Sequence, residues 1–175
     1  MSSELGLRRR PEGSPAAAER QPPDEVRCLG RGWPRADRFE RLFWALVFLA
    51  CAGCLAIAAF VLEPDRRGVG THEQLGLPPC GFFDLAGGPC PSCGFTTTFA
   101  YAAHLRPLDA LANQPFGFFV FLLACAATVV LPPAVVRGVS LFALTERWRW
   151  RWVVLGLVSA WLAAWAYKWH ITVGF

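Results

Sequence analysis

Cys90-Pro91-Ser92-Cys93-Gly94 is the segment whose residue types and spacing could do chemistry. A Cys-x-x-Cys spacing lets two sulfurs point the same way across a tight turn. That geometry suits a two-thiolate metal knuckle or a short redox disulfide. Pro91 stiffens the turn, and Gly94 allows a positive φ or leaves amides free to point at sulfur. A helix starting near Cys93 would bring its positive dipole end to the thiols and favour thiolate. Cys80 supplies a third sulfur ten residues before Cys90.

Three chemistries stay open for these sulfurs. On the oxidising side of a membrane, a structural disulfide from Cys80 to Cys90 or Cys93 would staple the loop and leave one odd thiol. Alternatively, Cys90 and Cys93 are a candidate redox pair with Cys80 as the resolving thiol. The third chemistry is a metal site for zinc or iron, with Cys80, Cys90 and Cys93 as ligands and His72 as the candidate fourth. Asp84 and His104 share the loop. On a continuous helix, however, His104 would lie about 16 Å along the axis from Cys93, beyond one coordination shell. Two protomers sharing one metal through their Cys-x-x-Cys turns would also fit.

The other candidates have plainer readings. Thr96, Thr97 and Thr98 sit where a helix from about Phe95 to Arg106 begins, and threonine is a reasonable N-cap. Thr97, Tyr101 and His104 make a polar stripe opposite Phe95 and Phe99, which predicts an amphipathic helix at a membrane interface. Cys51 and Cys54 on one apolar run and Cys125 on another read as small packing residues. Cys28 reads as a free thiol in a polar tail. Trp161 and Trp165, four apart, read as packing or lipid-facing. No phosphate loop, His-Glu-x-x-His or Gly-x-Ser-x-Gly is present, so no complete catalytic constellation supports an enzyme.

The elements that must position the cysteines are apolar. The chain has 175 residues, 54% hydrophobic and 17% charged, with a net charge of +4 from 16 Arg and one Lys against 13 acids. Soluble domains carry roughly 25% charged residues. The arginines flank apolar runs rather than sharing one face, which argues against nucleic acid. Residues 42–62, 115–136 and 152–170 are predicted spans. The third is short of apolar residues after Tyr167 and has Trp148, Trp150, Trp152 and Trp169 at its flanks, like an aromatic belt. Pro132-Pro133 should kink or fray the second. The uncharged runs, 42–62, 115–136 and 152–167, hold no Asp, Glu, Lys or Arg, which counts against a pump or ion-coupled transporter. The first run is too long, and too far from residue 1, for a cleaved signal peptide.

Residues 1–41, broken by prolines and rich in Arg, are expected to be a disordered tail. Arg27, Arg31, Arg35, Arg38 and Arg41 precede the first span, and Arg137, Arg147, Arg149 and Arg151 lie between the second and third. By the positive-inside rule the tail is cytoplasmic and loop 63–114 external. Arg66 and Arg67 beside the first span stand against this orientation.

The stretch from Cys80 through Cys90-Pro91-Ser92-Cys93-Gly94-Phe95-Thr96 to Asn113-Gln114-Pro115 and the second span resembles small bacterial membrane proteins of domain-of-unknown-function family 2752. The resemblance covers about residues 75–135. Thr97 stands where many members carry Arg, which puts in doubt any role that needs a cation beside the thiols. Membership implies a helical membrane protein and no particular activity.

The expectation is therefore an all-α membrane protein: about three transmembrane helices, plus a short interfacial helix after a Cys-rich loop. Residues 42–175 form its membrane domain, in a bacterial inner membrane. Its partners are the lipid bilayer and a further membrane protein or a second copy, with no nucleic acid. The role expected first is a structural or interaction module with a disulfide-stapled external loop. The alternative is thiol–disulfide or metal handling by Cys90 and Cys93 with Cys80.

Overall fold

A computed structural model describes residues 25–28, 31–146 and 148–174. The expected disordered tail, residues 1–41, lies outside the described residues over 1–24 and 29–30. Within it, Glu25–Cys28 (β1) and Arg31–Pro34 (β2) pair antiparallel, with Val26 opposite Trp33.

Helix α1 (Arg38–Phe60) begins before the expected apolar run because Asp37 caps it, its carboxylate accepting the Glu40 N–H at 2.6 Å. Glu40 then turns inward. Its Oε1 accepts the amides of Leu141 (2.8 Å) and Phe142 (2.9 Å) and the Ser140 hydroxyl (3.1 Å). Backbone bonds from Ala36 to Gly138 and from Ser140 to Pro34 lie beside it. One buried carboxylate thus joins the start of α1 to the segment that follows α5 (Pro115–Arg137).

Helix α5 opens with Pro115 at its first position, where the missing N–H has no helical partner to lose. Pro132-Pro133, expected to kink or fray the run, do not end the helix. The prolines lie within the last two turns, few hydrogen bonds are lost, and the helix runs on to Arg137 before Gly138 (φ 69°) terminates it.

α1 and α5 pack along each other and keep most of their apolar side chains outward, Leu46, Leu49, Leu122 and Val129 among them. Each has 23 residues, about 35 Å of helix. Both are long and apolar enough to cross a membrane. The third expected span is a helix of 24 residues, α7 (Trp150–Val173), but it does not pass the same test. Arg151, Lys168 and His170 together with its indoles dilute its apolar character. Two helices, not three, therefore meet both criteria among the described residues.

Between α1 and α5 the loop folds into a 3-10 turn (Thr71–Leu75), α2 (Gly81–Ala86), α3 (Phe95–Ala103) and α4 (Pro107–Asn113). A last short helix, α6 (Phe142–Thr145), precedes α7. The expected short helix after the Cys-rich loop is present as α3, ending at Ala103 rather than Arg106. Its N-cap is Gly94 rather than a threonine. Of the expected polar stripe, Thr97 and Tyr101 are buried with Thr98, because α3 packs on α1, α4 and α5, whereas His104 follows the helix and is exposed.

Candidate functional site

The three loop cysteines converge. Cys80 precedes the first residue of α2, and Cys93 lies two residues before α3. The Cys93 N–H donates to the Cys90 carbonyl at 3.0 Å, closing the turn that aligns their side chains. Cys90 Sγ lies 3.1 Å from Cys93 Sγ, and Cys93 Sγ lies 3.5 Å from Cys80 Sγ. All three sulfurs fall within 4.8 Å of one another. The expected structural disulfide is not formed. A bonded pair requires about 2.05 Å, and Cys80, Cys90 and Cys93 are all free.

His72 does not join the cluster. Its Nε2 is bonded to the Pro78 carbonyl at 3.1 Å, although the ring lines the same cleft as the sulfurs. That cleft has a volume of ≈ 630 Å³ and is also lined by Glu73, Asp84 and Ser92. Asp84 is likewise outside the cluster, and the His104 ring bonds the Ala100 carbonyl instead.

The thiols are not equivalent. Burial, with the hydrogen-bonded sulfurs of Cys90 and Cys80, pushes the Cys93 thiol up to about 12. Burial also opposes the Cys90 thiolate, but hydrogen bonds from Ser92 and from the Cys93 and Cys80 thiols hold Cys90 below the ordinary cysteine value.

The turn is held from behind by α7. Trp161 Nε1 donates to the Pro91 carbonyl (3.1 Å) and Trp165 Nε1 to the Pro89 carbonyl (2.9 Å). These two indoles, expected only to pack, flank Cys90 with fixed donors. Gly88 lies flat on the Trp169 ring, where a methyl group would stand 2.7 Å from ring carbons. Gly94 has φ +89°, and a methyl group on it would meet the Gly68 carbonyl at 3.0 Å. Only glycine satisfies both the φ and the space there.

Beneath the turn runs a buried polar network. Thr71 and Thr97 share a hydroxyl bond of 2.8 Å. Asn113 Nδ2 donates to the Gly94 carbonyl (3.1 Å) and to Thr98 Oγ1 (2.9 Å). Lys168 Nζ donates to Asn113 Oδ1 (2.7 Å) and to the Gly68 carbonyl (3.1 Å). Sequence reasoning treated Lys168 only as the polar end of the third apolar run. The one available signal was that it is the chain's single lysine among sixteen arginines.

The resemblance read from the motif has an independent counterpart. Residues 80–128 match the family model described as protein of unknown function, DUF2752. No curated protein and no solved structure matches the chain. The DUF2752 match starts at Cys80 and ends within α5, so it takes in all three cluster cysteines, Thr98 and Asn113. Trp161, Trp165 and Lys168 lie beyond it.

Proposed function

We propose that the protein is a multi-pass membrane protein whose Cys80, Cys90 and Cys93 bind a soft metal ion of the zinc class, with the fourth coordination position open to the cleft. The observation that carries this reading is the sulfur triangle. A zinc–sulfur distance of about 2.3 Å in tetrahedral geometry places sulfurs about 3.8 Å apart, and the triangle's short sides are 3.1 and 3.5 Å. No fourth protein ligand lies within the cluster among the described residues. Three protein ligands with one open position is the pattern of metal sites that act on a bound molecule rather than only holding a fold.

The membrane placement rests on α1 and α5, and the third span on the 24-residue length of α7. The orientation, tail cytoplasmic and Cys-rich loop external in a bacterial inner membrane, rests on the arginine distribution. Arg66 and Arg67, beside the first span, are outnumbered by the five arginines before it and the four between the second and third runs.

The test is metal content of the purified protein, followed by cobalt substitution. About one metal ion per chain and an intense near-ultraviolet thiolate-to-cobalt band are expected, both lost in the variant with Ser at 80, 90 and 93. A metal-free protein that gives no such band with added cobalt overturns the reading. If Cys90 and Cys93 instead exchange with a dithiol at a defined potential, the redox alternative replaces it.

A further inference from the structure

We propose that Lys168 is the counter-charge of the three-cysteine centre, and that it makes the centre a site for a divalent cation with a neutral fourth ligand. The inference rests on the metal reading above and deepens it.

Lys168 is only 3% exposed. An ammonium taken out of water needs an opposite charge as well as hydrogen bonds, or it loses its proton. Lys168 has the hydrogen bonds, two of its three donors being taken by Gly68 and Asn113. Among the described residues it has no carboxylate within ion-pair distance. The nearby acids are engaged elsewhere: Asp65 and Glu73 hold Arg67, and Asp109 holds Arg106 at 2.7 Å.

Among the described residues, the sulfur cluster is the source of negative charge carried by the very turn that Lys168 supports. The lysine stem packs against the residue that follows Cys93, since a methyl group on Gly94 would stand 3.3 Å from Lys168 Cε. Asn113 links the ammonium to that same turn, accepting from Lys168 and donating to the Gly94 carbonyl. The ammonium is thus built into the back of the turn that carries the sulfurs.

Charge balance then selects the ligand. Three thiolates around a divalent ion leave one net negative charge, and the one buried ammonium cancels it; Arg67, Glu73 and Asp84 line the open side of the cleft, where water screens them. A monovalent ion would leave an uncompensated negative charge in the same low-dielectric surroundings, and a trivalent ion an uncompensated positive one. An anionic fourth ligand would also break the balance, whereas water, imidazole or a neutral carbonyl would keep it.

Cobalt(II) is the probe, titrated into the full chain in detergent for wild type, Lys168→Gln and Lys168→Arg. Glutamine keeps a hydrogen-bond donor and removes the charge; arginine keeps the charge. The expected result for Lys168→Gln is at least tenfold weaker cobalt binding. Its thiolate-to-cobalt band should also move to longer wavelength, because sulfur lone pairs no longer stabilised by a cation rise in energy. Lys168→Arg should restore the band position. A merely structural lysine would alter affinity or yield but leave the band of the bound metal where it is.

If Lys168→Gln does not fold, the wild-type cobalt form decides the matter. Imidazole should perturb its visible bands at concentrations where azide does not. Unchanged affinity and band in Lys168→Gln, or azide binding as readily as imidazole, overturns the assignment while the metal centre stands. A wild type that gives no thiolate–cobalt band sinks the metal centre itself and the assignment with it.

Discussion

At the residue scale, the three sulfurs differ in reactivity because they differ in burial and in donors. Cys90 is half-buried and hydrogen-bonded by Ser92, whereas Cys93 is buried behind it. Thiolate is the alkylating form. With the Cys90 pKa lowered and that of Cys93 near 12, metal-free protein at neutral pH should be carbamidomethylated at Cys90 well before Cys93. Cys93 should stay slow until strongly alkaline pH. Time-resolved peptide mass spectrometry reads the order, and equal rates would contradict the assigned environments. A second residue-scale consequence sits at Gly94. A side chain there meets the Gly68 carbonyl and must hold φ +89°, so Gly94→Ala should cost about 1–2 kcal/mol of stability. Thermal unfolding in detergent checks it. The sequence predicted the reactive turn and the role of glycine in it, because both follow from local spacing. It missed Lys168, because nothing local to residue 168 points to a sulfur 75 residues earlier.

At the scale of elements, two contacts join pieces far apart in the chain. Glu40 of α1 satisfies the Leu141 and Phe142 amides beyond α5. Glu40→Ala would orphan both and should destabilise the protein by about 2–3 kcal/mol. Glu40→Gln, which keeps the acceptor, should cost less, and comparing the two melting temperatures separates the hydrogen bonds from packing. On the other side, the α7 indoles clamp the cysteine turn. Trp165→Phe keeps an aromatic ring, smaller than the indole, and removes the bond to Pro89, a loss of about 1 kcal/mol on top of the lost packing. Its sharper signature should be faster maleimide labelling of Cys90 as the turn loosens. No change in labelling rate would mean the loop holds its shape without α7. The pairing of these elements was illegible in the sequence for a physical reason. Hydrophobic periodicity reports that a helix has an apolar face, not which polar group at its edge will meet which carbonyl.

At the scale of the whole molecule, the proposed topology and the free state of the thiols make one joint prediction. On intact cells, a bulky membrane-impermeant maleimide should label Cys90 without prior reductant, once bound metal has been removed by an external chelator. Gel shifts of single-cysteine variants assign the site. Labelling only after lysis would reverse the orientation, and labelling only after reduction would restore the disulfide reading that the sulfur separations now oppose.

The amino-acid sequence by itself determined the helical class, two apolar segments long enough to cross a membrane, the Cys-x-x-Cys turn before a helix, and the family resemblance that the match over residues 80–128 bears out. Each of these depends on residues near one another in the chain, where composition, periodicity and turn chemistry act directly. Only the tertiary structure decided that Cys80 meets Cys90 and Cys93 as free thiols, that Thr97 and Thr98 face a buried network rather than cap a helix, and that Trp161, Trp165 and Lys168 close the site from behind. Those outcomes depend on how α7 docks against a loop that precedes it by some 60 residues. Docking of that kind follows from shape and from the need to satisfy every buried polar group at once, and neither is written in any local stretch of the sequence.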